Sequence, residues 1–203
     1  MHQYVNRQQG SAVKKARLEA FSDGVLAIII TIMVLELHVP HEPTIAALLP
    51  LWPTLLCYLL SFIYVAIYWN NHHHLFHAVE RVTGDMLWAN ANLLFWLSLV
   101  PFVTAWMGEN HFAAVPVAVY GGVLLAAAIS YYILTLVLLR HHAPDSVLAR
   151  ALGSDRKGRI SIVIYVAGIA VACRWPVVAG LSYGLVAIIW IVPDRRFERL
   201  LAG

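Results

Sequence analysis

The sequence predicts an all-α membrane protein with six transmembrane helices. Three observations carry this. The 203 residues are 61% hydrophobic and only 12% charged, against about 45–50% and about 25% in soluble domains. The apolar residues gather into long runs separated by short polar links, and the basic residues fall almost entirely on alternate links. Such a composition excludes an ordinary soluble fold. The basic residues read as topological anchors, and no nucleic-acid partner is expected.

The expected spans are 19–37, 46–74, 86–107, 113–139, 160–175 and 177–193, in one domain covering residues 1–203. The first begins where R-L-E-A-F-S-D, residues 17–23, gives way to the apolar run from Gly24 to Leu35. The basic start of the chain resembles a signal peptide superficially. Asp23 abuts the apolar run, however, and L-E-L-H-V-P offers no small-x-small cleavage site, so the segment is read as retained. Pro40, Pro144 and Pro176 fall at or near breaks, because proline cannot continue a helix. The fifth and sixth spans are short and joined by a tight Arg174-Trp175-Pro176 turn, so a single re-entrant hairpin is the alternative there.

Orientation follows from the fourteen basic residues. Arg7, Lys14, Lys15 and Arg17 precede the first span, and Arg81 follows the second. Arg140, Arg150, Arg156, Lys157 and Arg159 lie in the fourth link, and Arg195, Arg196 and Arg199 in the tail. Only Arg174 falls on the other side. Thirteen against one puts both termini in the cytoplasm. Trp52, Trp106 and Trp175 map near outer span ends and Trp69, Trp88 and Trp190 near inner ends, as an interfacial belt requires. Trp96, mid-span, reads as a packing residue. The segment from about 140 to 159 is a solvated loop carrying Asp145 and Asp155.

With this orientation Arg17, Ser22, Asp23, Asn70, His72, His73, Asn90 and Asn92 share one depth at the cytoplasmic ends of the first three spans. Polar groups in a membrane turn inward and find partners, so one network is expected to join those helices. Arg17 and Asp23 are expected to be structural, and unpairing a buried charge there would cost on the order of 3–5 kcal/mol.

The stretch R-x-x-x-F-S-D followed by G-V-x-A-I-x-I-T resembles the endolysosomal potassium channel family whose animal member is called transmembrane protein 175. Its bacterial relatives contain a single six-helix repeat. Arg17, Phe21, Ser22 and Asp23 match the signature. The resemblance implies a homotetramer in which four first helices line a central pore, with pore layers at Ile28, at Thr31 or Ile32, and at Leu35. It implies a potassium-permeable leak channel without a T-V-G-Y-G filter, and this sequence lacks one. The implied permeant ion is K+, and protons are a second candidate.

Helical geometry agrees. At 100° per residue Phe21, Gly24, Ile28, Thr31, Ile32 and Leu35 fall within an arc of about 120°. Thr31 is its only polar side chain, which predicts a hydrophobic constriction able to gate by dewetting. The alternative is that Ile28 and Leu35 are ordinary packing residues. Glu36, Glu42 and Glu109 face outside against Arg174 alone, and the first helix directs its negative dipole end outward; both favour cations.

His72, His73, His74 and His77 raise the question of a metal, since His73 and His77 share a helical face. No cysteine or second constellation lies at matching depth, so network roles are expected and no metal or other cofactor. His38, His41 and His111 sit outside and read as exposed loop residues. Cys57 and Cys173 lie in apolar runs and read as buried, inert thiols. Ser61, Ser98, Ser130 and Ser182 lack a nucleophile context and read as helix-packing residues, so no enzyme is expected. The competing function is a proton channel or proton-coupled secondary transporter using the His/Asn/Asp cluster. Against a transporter, the polar cluster lies at one end of the bundle and not at mid-membrane. The implied location is the plasma membrane of a prokaryote, with the lipid bilayer and further copies of the chain as partners.

Overall fold

A computed structural model describes residues 2–79, 81–143, 146, 149 and 156–191, with the backbone alone for 2–14 and Arg156. Pro144, Asp145, Arg150, Asp155, the tail arginines Arg195, Arg196 and Arg199, and the last two residues of the sixth expected span lie outside the described residues. Those described are helical, without a strand: α1 (His2–Leu35), a 3-10 turn (Ile45–Leu51), α2 (Trp52–His77), α3 (Gly84–Ser98), α4 (Val100–Glu109), α5 (Ala114–Arg140), α6 (Arg156–Ala172) and α7 (Pro176–Ile191). Four stretches are long and apolar enough to cross a membrane: Lys15–Leu35, Ile45–His77, Gly84–Glu109 and Ala114–Arg140. Pro176–Ile191 is apolar but shorter.

Proline chemistry explains where the helices depart from the expected spans. Pro50 and Pro53 lack the N–H that would bond four residues back, so the chain enters as a 3-10 turn and becomes α-helical at Trp52. The third expected span, 86–107, is broken at Leu99 into α3 and α4, because Pro101 gives Leu97 no amide partner. The first runs about 50 Å at 1.5 Å per residue, longer than a bilayer core of about 30 Å. Its N-terminal half therefore extends past the expected start at residue 19. Between α6 and α7 the turn closes through the Arg174 and Trp175 amides, which donate to the Val171 carbonyl at 3.0 and 2.8 Å.

The core runs along α5, which packs against α3, α4, α6 and α7. Tyr120, Leu124, Ala127, Leu134 and Leu138 supply its buried face. Close approach elsewhere depends on missing side chains. A Cβ on Gly108 would lie 2.7 Å from the Thr54 backbone, and one on Gly121 would lie 2.1 Å from the Tyr183 hydroxyl. The former brings α4 onto α2, and the latter lets α7 insert its ring beside α5.

Packing of α1 is one-sided. It touches α2, α3 and α4, through a stripe of Leu18, Ser22, Leu26, Ile29 and Met33, all buried. These positions recur at four, four, three and four residues, the spacing of one helical face. Beyond this stripe and its flanks, most described residues from Arg17 to Leu35 are exposed within the subunit.

Candidate functional site

On the unpartnered side of α1, Phe21 is 61% exposed, Ile28 59%, Ile32 40% and Leu35 79%. Thr31 is exposed as well, and Gly24 has open space where a Cβ would stand. The centre line of this arc lies about 130° around the helix from the buried stripe. An exposed surface of Phe, Ile and Leu this long calls for a cover: lipid, or further copies of the chain. The Thr31 hydroxyl donates to the Ile28 carbonyl at 2.8 Å, so it is turned onto its own helix. The arc therefore presents a mainly apolar surface: the Phe21 ring, the open Gly24 position and the aliphatic groups of Ile28, Ile32 and Leu35 around Thr31. Ile30 is half-buried against the core.

The N-terminal part of the apolar stretch of the same helix carries the polar residues. His72 Nε2 and Asn90 Oδ1 are 2.8 Å apart. The Asn90 amide donates to Ser22 Oγ at 2.9 Å, and the Ser22 hydroxyl donates to the Leu18 carbonyl at 2.9 Å. Since Asn90 Oδ1 can only accept, the pattern makes His72 Nε2 the donor. The result is a one-way relay from α2 through α3 into the backbone of α1. All three side chains are buried. It joins three helices near the start of the apolar stretch of α1.

The other members of the expected network lie elsewhere. Asn92 donates to Ser130 Oγ at 2.8 Å and so ties α3 to α5. Asp23 is exposed and accepts from Trp69 Nε1 at 3.0 Å. Arg17 and Asn70 are exposed. His73 is exposed too, stacked on Trp69 at 6.2 Å between ring centroids. The single network of eight residues is thus corrected to a relay of three with two separate contacts beside it. The expectation that Arg17 and Asp23 carry buried charge is also corrected, because neither is buried within the subunit. Phe21 and Asp23 are both exposed, Phe21 on the open arc and Asp23 beside Trp69, while Ser22 of the same motif is fully enclosed.

His73 and His77 ring centroids are 6.4 Å apart, but among the described residues no group of three metal-ligating side chains occurs. Cys57 is buried; Cys173, just past α6, is exposed within the subunit, which corrects its reading as a thiol buried in the protein. At the other end of α1, His38 Nδ1 comes within 3.9 Å of a Glu109 carboxylate oxygen, placing this acid beside the segment that follows α1.

Several contacts have no counterpart in the sequence pattern. Ser61 Oγ lies 2.6 Å from Thr104 Oγ1 and 3.0 Å from Tyr120 Oη, joining α2, α4 and α5. The Tyr64 hydroxyl donates to the Tyr183 carbonyl at 2.6 Å. At the cytoplasmic edge, His141 Nε2 meets Asp85 Oδ2 at 2.7 Å, with Thr83 also donating to Asp85. Lys15 Nζ donates to the His77 carbonyl at 3.2 Å. Spacing along the chain carries no signal for these long-range pairs, which depend on how the helices pack.

A family model described as the endosomal/lysosomal potassium channel TMEM175 matches residues 17–101. A potassium channel of Chryseobacterium sp. (strain P1-3) is 56% identical over 187 residues, which is 92% of this chain and 97% of that one. A potassium channel of Chamaesiphon minutus is 41% identical over 124 residues, 57% of this chain and 61% of its own length. Among solved structures, the crystal structure of a lysosomal potassium-selective channel TMEM175 homolog from Chamaesiphon minutus superposes with a TM-score of 0.76. It is 32% identical and covers 89% of this chain and 97% of that one. The matched segment holds α1 with its open arc and the whole Ser22–Asn90–His72 relay, and similarity to the first relative extends along nearly the full length. This chain belongs to the TMEM175 family.

Proposed function

We propose that the protein is a potassium-permeable leak channel in the plasma membrane, assembled from four copies with α1 of each around a central pore. Both termini lie in the cytoplasm, and the chain crosses the bilayer six times over the spans 19–37, 46–74, 86–107, 113–139, 160–175 and 177–193, the third of them kinked at Leu99. The observation that carries this reading is the open apolar arc of α1, on a helix whose other face is fixed to α2, α3 and α4. Four such arcs converging give a neck ringed by Ile28, by Thr31 or Ile32, and by Leu35. Ile28 forms its tightest point. The Thr31 hydroxyl hydrogen is engaged by the Ile28 carbonyl, its oxygen is the one polar side-chain atom of the arc, and an ion crosses by entering a short region where water is unfavourable. Relatives named as potassium channels, one of them 56% identical, support K+ as the ion. Glu36, Glu42 and Glu109 at the outer mouth raise the local cation concentration. Arg17 and Asp23 are structural and do not touch the ion, as are Ser22, His72 and Asn90, which set the pitch of α1. No cofactor or catalytic step is required.

The test is passive flux from liposomes at matched protein density, with a K+ gradient and a pH-sensitive dye in parallel. Ile28→Ala should raise K+ flux and weaken discrimination against Na+. Ile28→Asn should do so more strongly, because a polar ring keeps the neck wet. Conservative change at Ile30 should do neither. Unchanged flux in Ile28→Asn with altered flux in Ile30 variants would remove α1 from the pore. Saturable exchange of K+ for protons would replace the channel with a carrier.

A further inference from the structure

A groove opens between α2, α5, α6 and α7. None of its walls belongs to α1, so it lies away from the arc assigned to the pore. Its aromatic lining is Tyr64, Tyr68, Tyr131, Tyr132, Tyr165 and Trp190, with Ala128 leaving room at the centre. On α6 the lining recurs from Gly158 to Tyr165 and on α2 from Tyr64 to Asn71. Each stretch is about 10 Å long, a third of the hydrocarbon thickness. In the orientation proposed above, on which this inference rests, the groove runs from the cytoplasmic interface toward mid-membrane.

The walls choose the guest. Their polar atoms are mostly engaged with one another: Trp190 Nε1 donates to Ser161 Oγ and Ser161 to the Lys157 carbonyl, both at 2.8 Å. The Asn71 amide donates to the Ile67 carbonyl at 2.8 Å, and the Tyr165 hydroxyl to Tyr64 Oη at 3.2 Å. What remains is ring faces and methyl groups, a surface that offers water few partners and an alkyl chain many contacts. At the cytoplasmic lip two cations stand on α6. Lys157 and Arg159 flank Gly158 on either side of the lining stripe. Helix geometry tilts their side chains toward the N-terminus of α6, hence toward the interface. Among the described residues of α5, α6 and α7 there is no Asp or Glu; Asp145, Asp155 and Asp194 lie outside the described residues.

We propose that this groove holds one acyl chain of an anionic phospholipid from the cytoplasmic leaflet, with the phosphate against Lys157 and Arg159. The chain fills the aromatic cleft, and Trp190 sits at the level of the glycerol backbone, where indoles settle. A lipid so placed wedges α2 against α5 and α6, the elements behind the relay that holds α1.

The test is native mass spectrometry of the full-length protein in mild detergent, titrated with phosphatidylglycerol or with phosphatidylcholine of the same acyl chains. One phosphatidylglycerol per chain should be retained in preference to phosphatidylcholine. Lys157→Gln and Arg159→Gln should each lower that preference about fivefold, the weight of one cation near a lipid surface. Ala128→Phe, which occupies the cleft, should lower retention of both lipids. Should Ala128→Phe fail to fold, brominated lipids decide the matter with native packing. Brominated phosphatidylglycerol should quench wild type more than Trp190→Phe, and brominated phosphatidylcholine should not. Equal retention of the two lipids, charge variants that behave as wild type, or no excess quenching of Trp190 would each overturn the proposal. None of these readouts measures flux, so a failure of the channel reading and a failure of the lipid site remain separable.

Discussion

Asn90→Leu should be among the most damaging single changes at the cytoplasmic end of the bundle, and the relay says by how much. Asn90 is 1% exposed. Removing its carboxamide leaves the His72 Nε2–H, itself in a buried ring, without an acceptor. A stranded buried donor costs about 1–3 kcal/mol. Hydrogen bonds between membrane helices measure lower, about 0.6 kcal/mol on average and up to about 1.7. Ser22 loses a donor but keeps its bond to the Leu18 carbonyl, so its share is small. The expected loss is about 1–3 kcal/mol, or a fall of about 3–9 °C in apparent Tm for a chain of this size. The assay is thermal challenge of detergent-purified protein followed by size-exclusion recovery of the assembled species. The informative partner is the triple variant Ser22→Ala, His72→Phe, Asn90→Leu. It strands nothing, and the phenyl ring that replaces the imidazole still meets Phe76, whose centroid lies 4.5 Å from that of His72. It should be more stable than Asn90→Leu alone. Asn92→Leu, which frees only Ser130, should cost less than about 1 kcal/mol. An unshifted Tm in Asn90→Leu, or a triple variant as unstable as the sum of its parts, would refute the relay as a structural unit.

The remaining predictions concern close packing and topology. Gly121→Ala drives a methyl group into the Tyr183 hydroxyl and should cost about 1–3 kcal/mol by overpacking, whereas Gly122→Ala, which meets nothing within 4 Å, should be tolerated; comparative Tm values decide. The Tyr183 hydroxyl is buried without a hydrogen-bond partner among the described residues, so Tyr183→Phe should be neutral or stabilising and should partly rescue Gly121→Ala. A fall in Tm of several degrees in Tyr183→Phe would mean that the hydroxyl has a partner after all. Cys173 is exposed in the turn between α6 and α7 while Cys57 is buried, so an impermeant maleimide added outside intact cells should label wild type and Cys57→Ala but not Cys173→Ala. Labelling that required permeabilised cells would invert the proposed orientation.

Depth along the membrane is legible in the sequence, and azimuth only in part. Placing Ser22, His72, Asn90 and Asn92 at one level needs nothing beyond helix rise and charge placement. Yet Asn90 and Asn92 are two residues apart, about 200° around a helix, so both cannot face α1. One has to turn to another neighbour, and Asn92 turns to α5. The same geometry separates His72 from His73 by about 100°, which leaves the first buried and the second outside. Pro101 likewise carries its own signal for a break inside the third span, hidden because the apolar run continues through it. The hydroxyl contacts of Ser61, Thr104 and Tyr120 are a different case. They depend on which helices pack on which, and periodicity within one helix holds no information about its partner. The arc of α1 is readable because it is defined by what one helix lacks, a second polar residue among its inner positions. Its open face in the subunit follows from the same fact, since a helix that commits Leu18, Ser22, Leu26, Ile29 and Met33 to its neighbours leaves Phe21, Ile28 and Leu35 to meet whatever lies beyond the chain.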